Sequence, residues 1–173
     1  LRLHSHINQM LEISEINNNI NLEETDLNYI VLTIVNDFKI KISEFDTLHF
    51  DPSDNEILVM IDPFVFTTML QNILDNSFKH NQNAIKNTSL FITEIEDEYV
   101  LHIIDNGKGI EEGDKVKIFD KFFRAGSKQH VSGLGLGLYY VNQCLDIHGW
   151  RMEIRSAMDV GTDFMVHIPK TNL

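Results

Sequence analysis

From residue 105 to residue 135 the chain runs for about thirty residues without helical or strand periodicity, punctuated by glycines such as Gly107, Gly109, Gly133 and Gly135. A loop of that length inside a compact domain is uncommon and usually functional, so whatever fold forms must carry it, and a lid over a ligand is the first expectation. Its flanks are regular. Residues 88–96 and 98–104 alternate apolar and polar like a hairpin around Asp97. Residues 135–148 have helical spacing and are followed by two strand patterns, 151–157 and 162–168, joined by Asp159-Val160-Gly161.

The preceding half supplies the remaining elements. Residues 1–17 carry Leu3, Ile7, Met10 and Leu11 at three- and four-residue spacing, an amphipathic helix that needs a partner and stops at Asn17-Asn18-Asn19. A short strand is expected at 20–25. Asp26 then caps a helix through about Glu44, with Leu27, Ile30, Val31, Ile34, Val35 and Phe38 inward. Strands at 47–50 and 56–61 flank the turn 51–55. Asp62-Pro63 is an N-cap followed by proline at the first helical position, opening a helix over roughly 63–80. Three helices against about five mostly antiparallel strands, in mixed order, predict a two-layer α/β sandwich with the helices on one sheet face.

Composition narrows the function. At 173 residues and 43% hydrophobic, the chain suits one domain plus a short appendage. No run of about 18 apolar residues exists to span a membrane, so no membrane contact is expected of this fragment. It opens without the charged-then-apolar order of a signal peptide and reads as part of a longer protein. Fourteen basic against 26 acidic residues give a net charge of −12, which opposes binding to nucleic acid. An anionic ligand must therefore be held by local groups. The single cysteine, Cys144, fits a reducing cytoplasm and shares a helical face with Tyr140, Val141, Leu145 and His148, as a packing residue does.

Four local features then occur in order. On the helix over 63–80, Asn72, Asn76 and Lys79 are spaced by four and three and share one face. An asparagine amide oxygen suits a hard metal ion that also touches phosphate, and lysine supplies a point charge; a solvated polar face would look the same. Asp105-Asn106-Gly107-Lys108-Gly109-Ile110 follows a strand, where glycines let backbone approach a flat ring and a carboxylate can accept from an exocyclic amine; many tight turns share that pattern. Ile118-Phe119-Asp120-Lys121-Phe122-Phe123-Arg124 holds three aromatics that should anchor the base of the loop. Arg124 there is either a phosphate contact or a surface arginine. Ser132-Gly133-Leu134-Gly135-Leu136-Gly137-Leu138 opens a helix with bare N–H groups, a ready anion site. A dinucleotide fold would want its glycines on a first βα turn, and no G-x-x-x-x-G-K-[ST] sequence is present.

With all four in place, residues 22–170 resemble the catalytic ATP-binding domain of sensor histidine kinases, within the superfamily that also holds DNA gyrase, mismatch-repair ATPases and heat-shock chaperones. Asn72 to His80 resembles the N box, Asp105 to Gly109 the G1 box, Phe119 to Phe123 the F box and Gly133 to Gly137 the G2 box; Gly161-Thr162 matches a further adenine-pocket element. The resemblance implies an α+β, Bergerat-type fold of a roughly five-stranded mixed sheet and three helices, with residues 20–173 as the catalytic domain and 1–19 as the end of a dimerisation-hairpin helix and linker. It implies ATP and Mg²⁺ as cofactors. Asp105 would bind the adenine amino group with Thr162 in support, beside Gly107, Gly109 and Ile110. Asn76 would hold Mg²⁺, and His80 a phosphate oxygen. Phe119, Gly133, Leu134, Gly135, Leu136 and Gly137 would complete the nucleotide site, under a mobile lid at 125–132. Asn72, Lys79 and Arg124 would carry the catalytic roles.

Position 72 separates branches of the superfamily. The gyrase-like and chaperone-like members resemble one another in placing a general-base glutamate there, whereas Asn72 cannot accept a proton at neutral pH. ATP would then be kept for transfer to a histidine. His4 precedes Ser5 and His6 precedes Ile7, and neither matches the acceptor pattern of His, an acidic residue and Leu-Arg-Thr-Pro. The implied partners are a histidine-bearing hairpin of the kinase itself, a homodimer through it, and a downstream response regulator. The alternative reading is an ATP-dependent regulatory module, or pseudokinase, without phosphotransfer.

Overall fold

The computed structural model describes residues 20–124 and 135–170. The expected helix of residues 1–17, the boundary at 19/20, the whole of the expected lid at 125–132, and Gly133 and Leu134 lie outside these described residues.

Strand β1 (Glu23–Asp26) leads straight into helix α1 (Leu27–Lys39). Asp26 caps that helix by accepting from the Asn28 N–H at 3.0 Å, and the same oxygen accepts from Ile57 N at 3.3 Å. Leu27, Ile30, Val31, Ile34, Val35 and Phe38 are buried, as their spacing requires. The helix ends at Lys39 rather than near Glu44. Phe38 is the last buried member of the stripe and Ile40 is 85% exposed, so another turn would have no face to bury.

Strands β2 (Thr47–Asp51) and β3 (Leu58–Ile61) precede α2 (Pro63–Lys79). Asp62 Oδ1 accepts from Phe64 N at 3.0 Å and Val65 N at 3.2 Å, while Oδ2 accepts from Asn21 N at 2.9 Å. The Asp62 backbone N–H donates to His148 Nε2 at 3.0 Å, and His148 Nδ1 lies 2.8 Å from Cys144 O. This imidazole is therefore the neutral tautomer carrying its proton on Nδ1, and burial lowers its pKa.

The hairpin β4 (Asn87–Ile95) and β5 (Glu98–Asp105) turns at Glu96-Asp97. Helix α3 (Gly137–His148) is followed by β6 (Arg151–Ala157) and β7 (Gly161–Pro169). The segment after β5 holds two single 3₁₀ turns, Glu112–Asp114 and Lys117–Phe119. Strand β1 pairs antiparallel with β3 in a two-stranded sheet, and the others form a five-stranded sheet in the order β2-β4-β5-β7-β6. Only the β2–β4 pair in that sheet is parallel.

The register aligns side chains into rows across the helix-facing side. One row is Ile92, Leu101, Val166 and Met152; the next is Leu90, Ile103, Phe164 and Ile154. All eight belong to or pack against the single core, together with the inner faces of the helices. At the strand ends the next row turns polar: Thr88, Asp105, Thr162 and Ser156. Cys144 is fully buried in the core beside Tyr140 and Val141, and burial pushes its thiol pKa up to about 12. Among the described residues no helix is long and apolar enough to cross a membrane.

Asp62→Ala is expected to lower the unfolding free energy by about 2 kcal/mol, since the helix cap goes and the Asn21 N–H loses its acceptor. The measurement is the urea midpoint at constant m-value, with Asp62→Asn recovering most of the loss; an unshifted midpoint in the alanine variant would show that the cap contributes nothing.

Candidate functional site

The polar row at the end of the sheet is the floor of the site. Asp105 closes β5 with 8% of its surface exposed and accepts from Gly107 N at 2.8 Å. Burial raises its pKa above the ordinary carboxylate range, while hydrogen bonds from the backbone of Gly107 and Thr162 and from the Ser77 hydroxyl pull the other way. Ser77 also lies 3.1 Å from Ile73 O, so its one proton is shared between two acceptors.

Beside Asp105, Ser156 organises the neighbouring turns. Its Oγ accepts from Ile110 N at 2.8 Å and donates to Gly161 O at 2.9 Å, and it lies 2.9 Å from Thr162 Oγ1. With the Ser156 proton committed to Gly161, Thr162 is the donor in that pair and keeps its own lone pairs for an incoming donor. Two glycines make this packing possible. Gly109 has φ +76, and a Cβ there would sit 2.1 Å from Ala157 O; Gly161 has φ +134, and a Cβ would sit 2.0 Å from Asp105 O. Asp159 N donates to Lys108 O at 2.8 Å, tying the β6–β7 turn to the glycine turn after β5.

Asn106 fastens the same turn to the end of α2. Its Oδ1 accepts from Asn81 Nδ2 at 2.7 Å and Asn87 N at 2.8 Å, its Nδ2 donates to Ile85 O at 3.2 Å, and its carbonyl accepts from Asn83 Nδ2. Asn81 is itself 4% exposed. Sequence reasoning gave Ser156, Ser77, Asn81 and Asn106 no role in the site. Opposition of Ser156 and Thr162 across the Asp159-Val160-Gly161 turn was the one available signal.

The end of α2 is cationic. The His80 pKa falls from 6.5 to about 4, through burial first and then the charges of Lys79, Lys108 and Arg124. Three cations thus converge on one half-buried imidazole in a chain of net charge −12. Lys108, inside the glycine turn, joins this group although the motif reading gave it no role. Asn76 is half-buried one turn before His80. Asn72 donates to Thr68 O at 2.8 Å and turns its Oδ1 toward α3, where a Cβ on Gly137 would come within 3.2 Å of it. Helix α3 begins there with no side-chain cap from its N-cap residue Leu136, and a helix start carries partial positive charge that suits an anion. Asp75 is exposed, with Lys41 and Lys79 as its charged neighbours, off the Asn72–Asn76 face.

The aromatic segment behaves in two ways. Ile118 is buried, and Phe119 and Phe123 pack against the core. Phe122 does not anchor anything of the kind expected. It is 62% exposed, because its backbone takes φ +64 to donate to Gly135 O at 2.9 Å, which turns the ring outward. Leu136 is 3% exposed and belongs to the core, so its side chain and that of Phe119 support the site from beneath. The structure therefore joins Asp105, Gly107, Gly109, Ile110 and Thr162 through the turns around Ser156, while Lys79, Lys108 and Arg124 act by charge on His80, one turn after Asn76. Asn72 and Gly137 face each other, and Gly135 meets Phe122.

This arrangement suits a ligand with a flat, amine-bearing base and an anionic tail. A buried carboxylate and glycine walls supply the first, and the cations around His80 at the end of α2 supply charge for the second.

Comparison with known proteins agrees. Residues 61–172 match the histidine kinase-, DNA gyrase B- and HSP90-like ATPase family. The sensor protein RprX of Bacteroides fragilis (strain YCH46) is 26% identical over 97% of this chain, which covers 34% of that protein. Sensor histidine kinase YvrG of Bacillus subtilis (strain 168) is 27% identical over 75% of this chain and 22% of its own length. The chain thus spans about a third or less of these relatives. Among solved structures, the catalytic domain of histidine kinase ThkA superposes with a TM-score of 0.74 at 22% identity, over 87% of this chain and 97% of that one. Full-length ShkA in complex with AMPPNP gives a TM-score of 0.83 at 18% identity, over 97% of this chain and 36% of that one. On the family match and the sensor-kinase relatives, this chain belongs to the histidine kinase-, DNA gyrase B- and HSP90-like ATPases and is a catalytic ATP-binding domain of the sensor histidine kinase type.

Proposed function

We propose that this domain binds Mg-ATP and donates its γ-phosphoryl group to a histidine on a separate dimerisation hairpin of a two-component sensor kinase. The carrying observation is the pairing of a buried acceptor, Asp105, with the convergence of Lys79, Lys108 and Arg124 on His80. Asp105 receives the adenine amino group and Thr162 supports it; Gly107, Gly109 and Ile110 shape the walls. Lys79, His80 and Arg124 face the phosphates, and the start of α3 at Gly135 and Gly137 lies along them. Among the described residues no cluster of three His, Cys, Asp or Glu side chains is poised to hold a metal. A magnesium ion would be held by the Asn76 amide oxygen together with the ligand's own oxygens, and would neutralise phosphate charge there.

Asn72 supports transfer over hydrolysis. An amide at that position cannot activate water. Catalysis then rests on positioning and on neutralising the transferred group. ThkA has been solved in complex with the response regulator protein TrrA, which supports a response regulator as the downstream partner here. The AMPPNP complex of ShkA supports an adenine nucleotide as the ligand.

Calorimetric titration should show ATP uptake that requires magnesium, with Asp105→Ala and Asn76→Ala each weakening it at least tenfold, on the order of 1.4 kcal/mol or more. No uptake by the folded domain would end this reading. Supplying a histidine-bearing hairpin should give labelled phosphohistidine; binding without transfer would favour a regulatory module.

The depressed pKa of His80 yields a second test. Below its ordinary 6.5 and above about 4, His80 is neutral in the empty domain. A nearby phosphate stabilises its protonated form, so the bound pKa rises and nucleotide binding takes up protons in that window. Titrations near pH 5.5 in buffers of different ionisation enthalpy should reveal this uptake, and His80→Gln should remove it.

A further inference from the structure

Thr88 stands beside Asp105 in the polar row, paired across the β4–β5 ladder, with Thr162 on Asp105's other side. Directly opposed residues on adjacent strands share a face, with Cβ atoms about 5 Å apart. Thr88 is therefore on the helix-facing side with Leu90, and it is 1% exposed. Its Oγ1 has no hydrogen-bond partner. A buried polar group in that state calls for an explanation, since valine would fill the same shape without leaving a hydroxyl unpaired. Leu48, its neighbour on β2, offers it nothing polar. The remaining orphans among the described residues, Tyr140 Oη, Asp163 Oδ1 and His167 Nε2, belong to residues outside this row.

We propose that Thr88 is a positioning residue for base recognition, its hydroxyl donating through one buried water to the Asp105 carboxylate that receives the purine amino group. This rests on the reading of Asp105 given above. The site has the polar partners that a buried water ordinarily needs: the Thr88 hydroxyl as donor, and the Asp105 carboxylate and Ser77 Oγ as acceptors. The Asp105 carboxylate is held on one side by the Gly107 N–H. The Thr162 N–H and the Ser77 hydroxyl also reach it, and a further donor from the β4 side fixes its rotation, so that its remaining acceptor capacity points at the amino group.

The test uses the intact domain, with ATP and ITP as probes; ITP carries a carbonyl where ATP carries the amino group. Thr88→Val should raise the ATP Kd about fivefold and leave the ITP Kd unchanged, so the preference for ATP falls by the same factor. Its urea midpoint should stay level or rise, because an unpaired buried hydroxyl has been removed. Thr88→Ser, which keeps the hydroxyl, should restore the preference. Should the valine variant fold poorly, Thr88→Ala gives the same ATP-to-ITP ratio while its midpoint reports the cavity. Wild-type preference in Thr88→Val, or equal losses in the valine and serine variants, would overturn the proposal. Asp105→Ala separates the two levels. If that variant binds ATP normally, the base reading itself fails; if it loses ATP while Thr88→Val does not, only the role of Thr88 fails.

Discussion

One carboxylate holds the three parts of this domain in register. Asp62 caps α2 with one oxygen, takes the Asn21 N–H with the other, and through its own N–H meets the imidazole at the end of α3. The start of α2, the approach to β1 and the close of α3 are thereby fixed to one point. Everything that α2 presents further along, from Asn72 to His80, inherits its position from that anchor. Rigid support of this kind is what a site assembled from a helix and several strand ends requires.

The helix then works on two faces. Val65, Phe66, Met69, Leu70, Ile73 and Leu74 are buried against the sheet, and Ser77 continues that face to Asp105. The other face carries Asn72, Asn76 and Lys79. Where the sheet rows change from Leu90, Ile103, Phe164 and Ile154 to Thr88, Asp105, Thr162 and Ser156, the core ends and the site begins. The boundary between stability and chemistry is one residue pair wide along each strand. Asn106 secures it from outside by lacing residues 81–87 to the glycine turn.

Much of this was legible in the sequence wherever the signal is local. Asp26 and Asp62-Pro63 announce helix starts because capping is decided within a few residues, and the alternation on both sides of Asp97 announces the hairpin. The glycine motifs mark the turns that meet beside Asp105 for the same reason. What escaped depends on partners distant in the chain. The end of α1 at Lys39 follows from a core that stops beyond Phe38. Phe122 points outward because of a bond to Gly135, and an aromatic residue alone reads as an anchor. Thr88 acquires meaning only from strand register, which a pattern of alternation leaves undetermined by one or two positions, and Asn106 only from loop partners some twenty residues away. Lys108 was visible within its motif, but its convergence with Lys79 and Arg124 on His80 required the fold.

The burial of Cys144 has a practical corollary. With its pKa near 12 and no exposed surface, only about one thiol in a hundred thousand is ionised at neutral pH. It is the chain's single sulfhydryl, so thiol-directed reagents find no accessible sulfhydryl in the folded domain. A cysteine engineered onto any outer position becomes the sole attachment point for a spin or fluorescent label, with the native residue left in place.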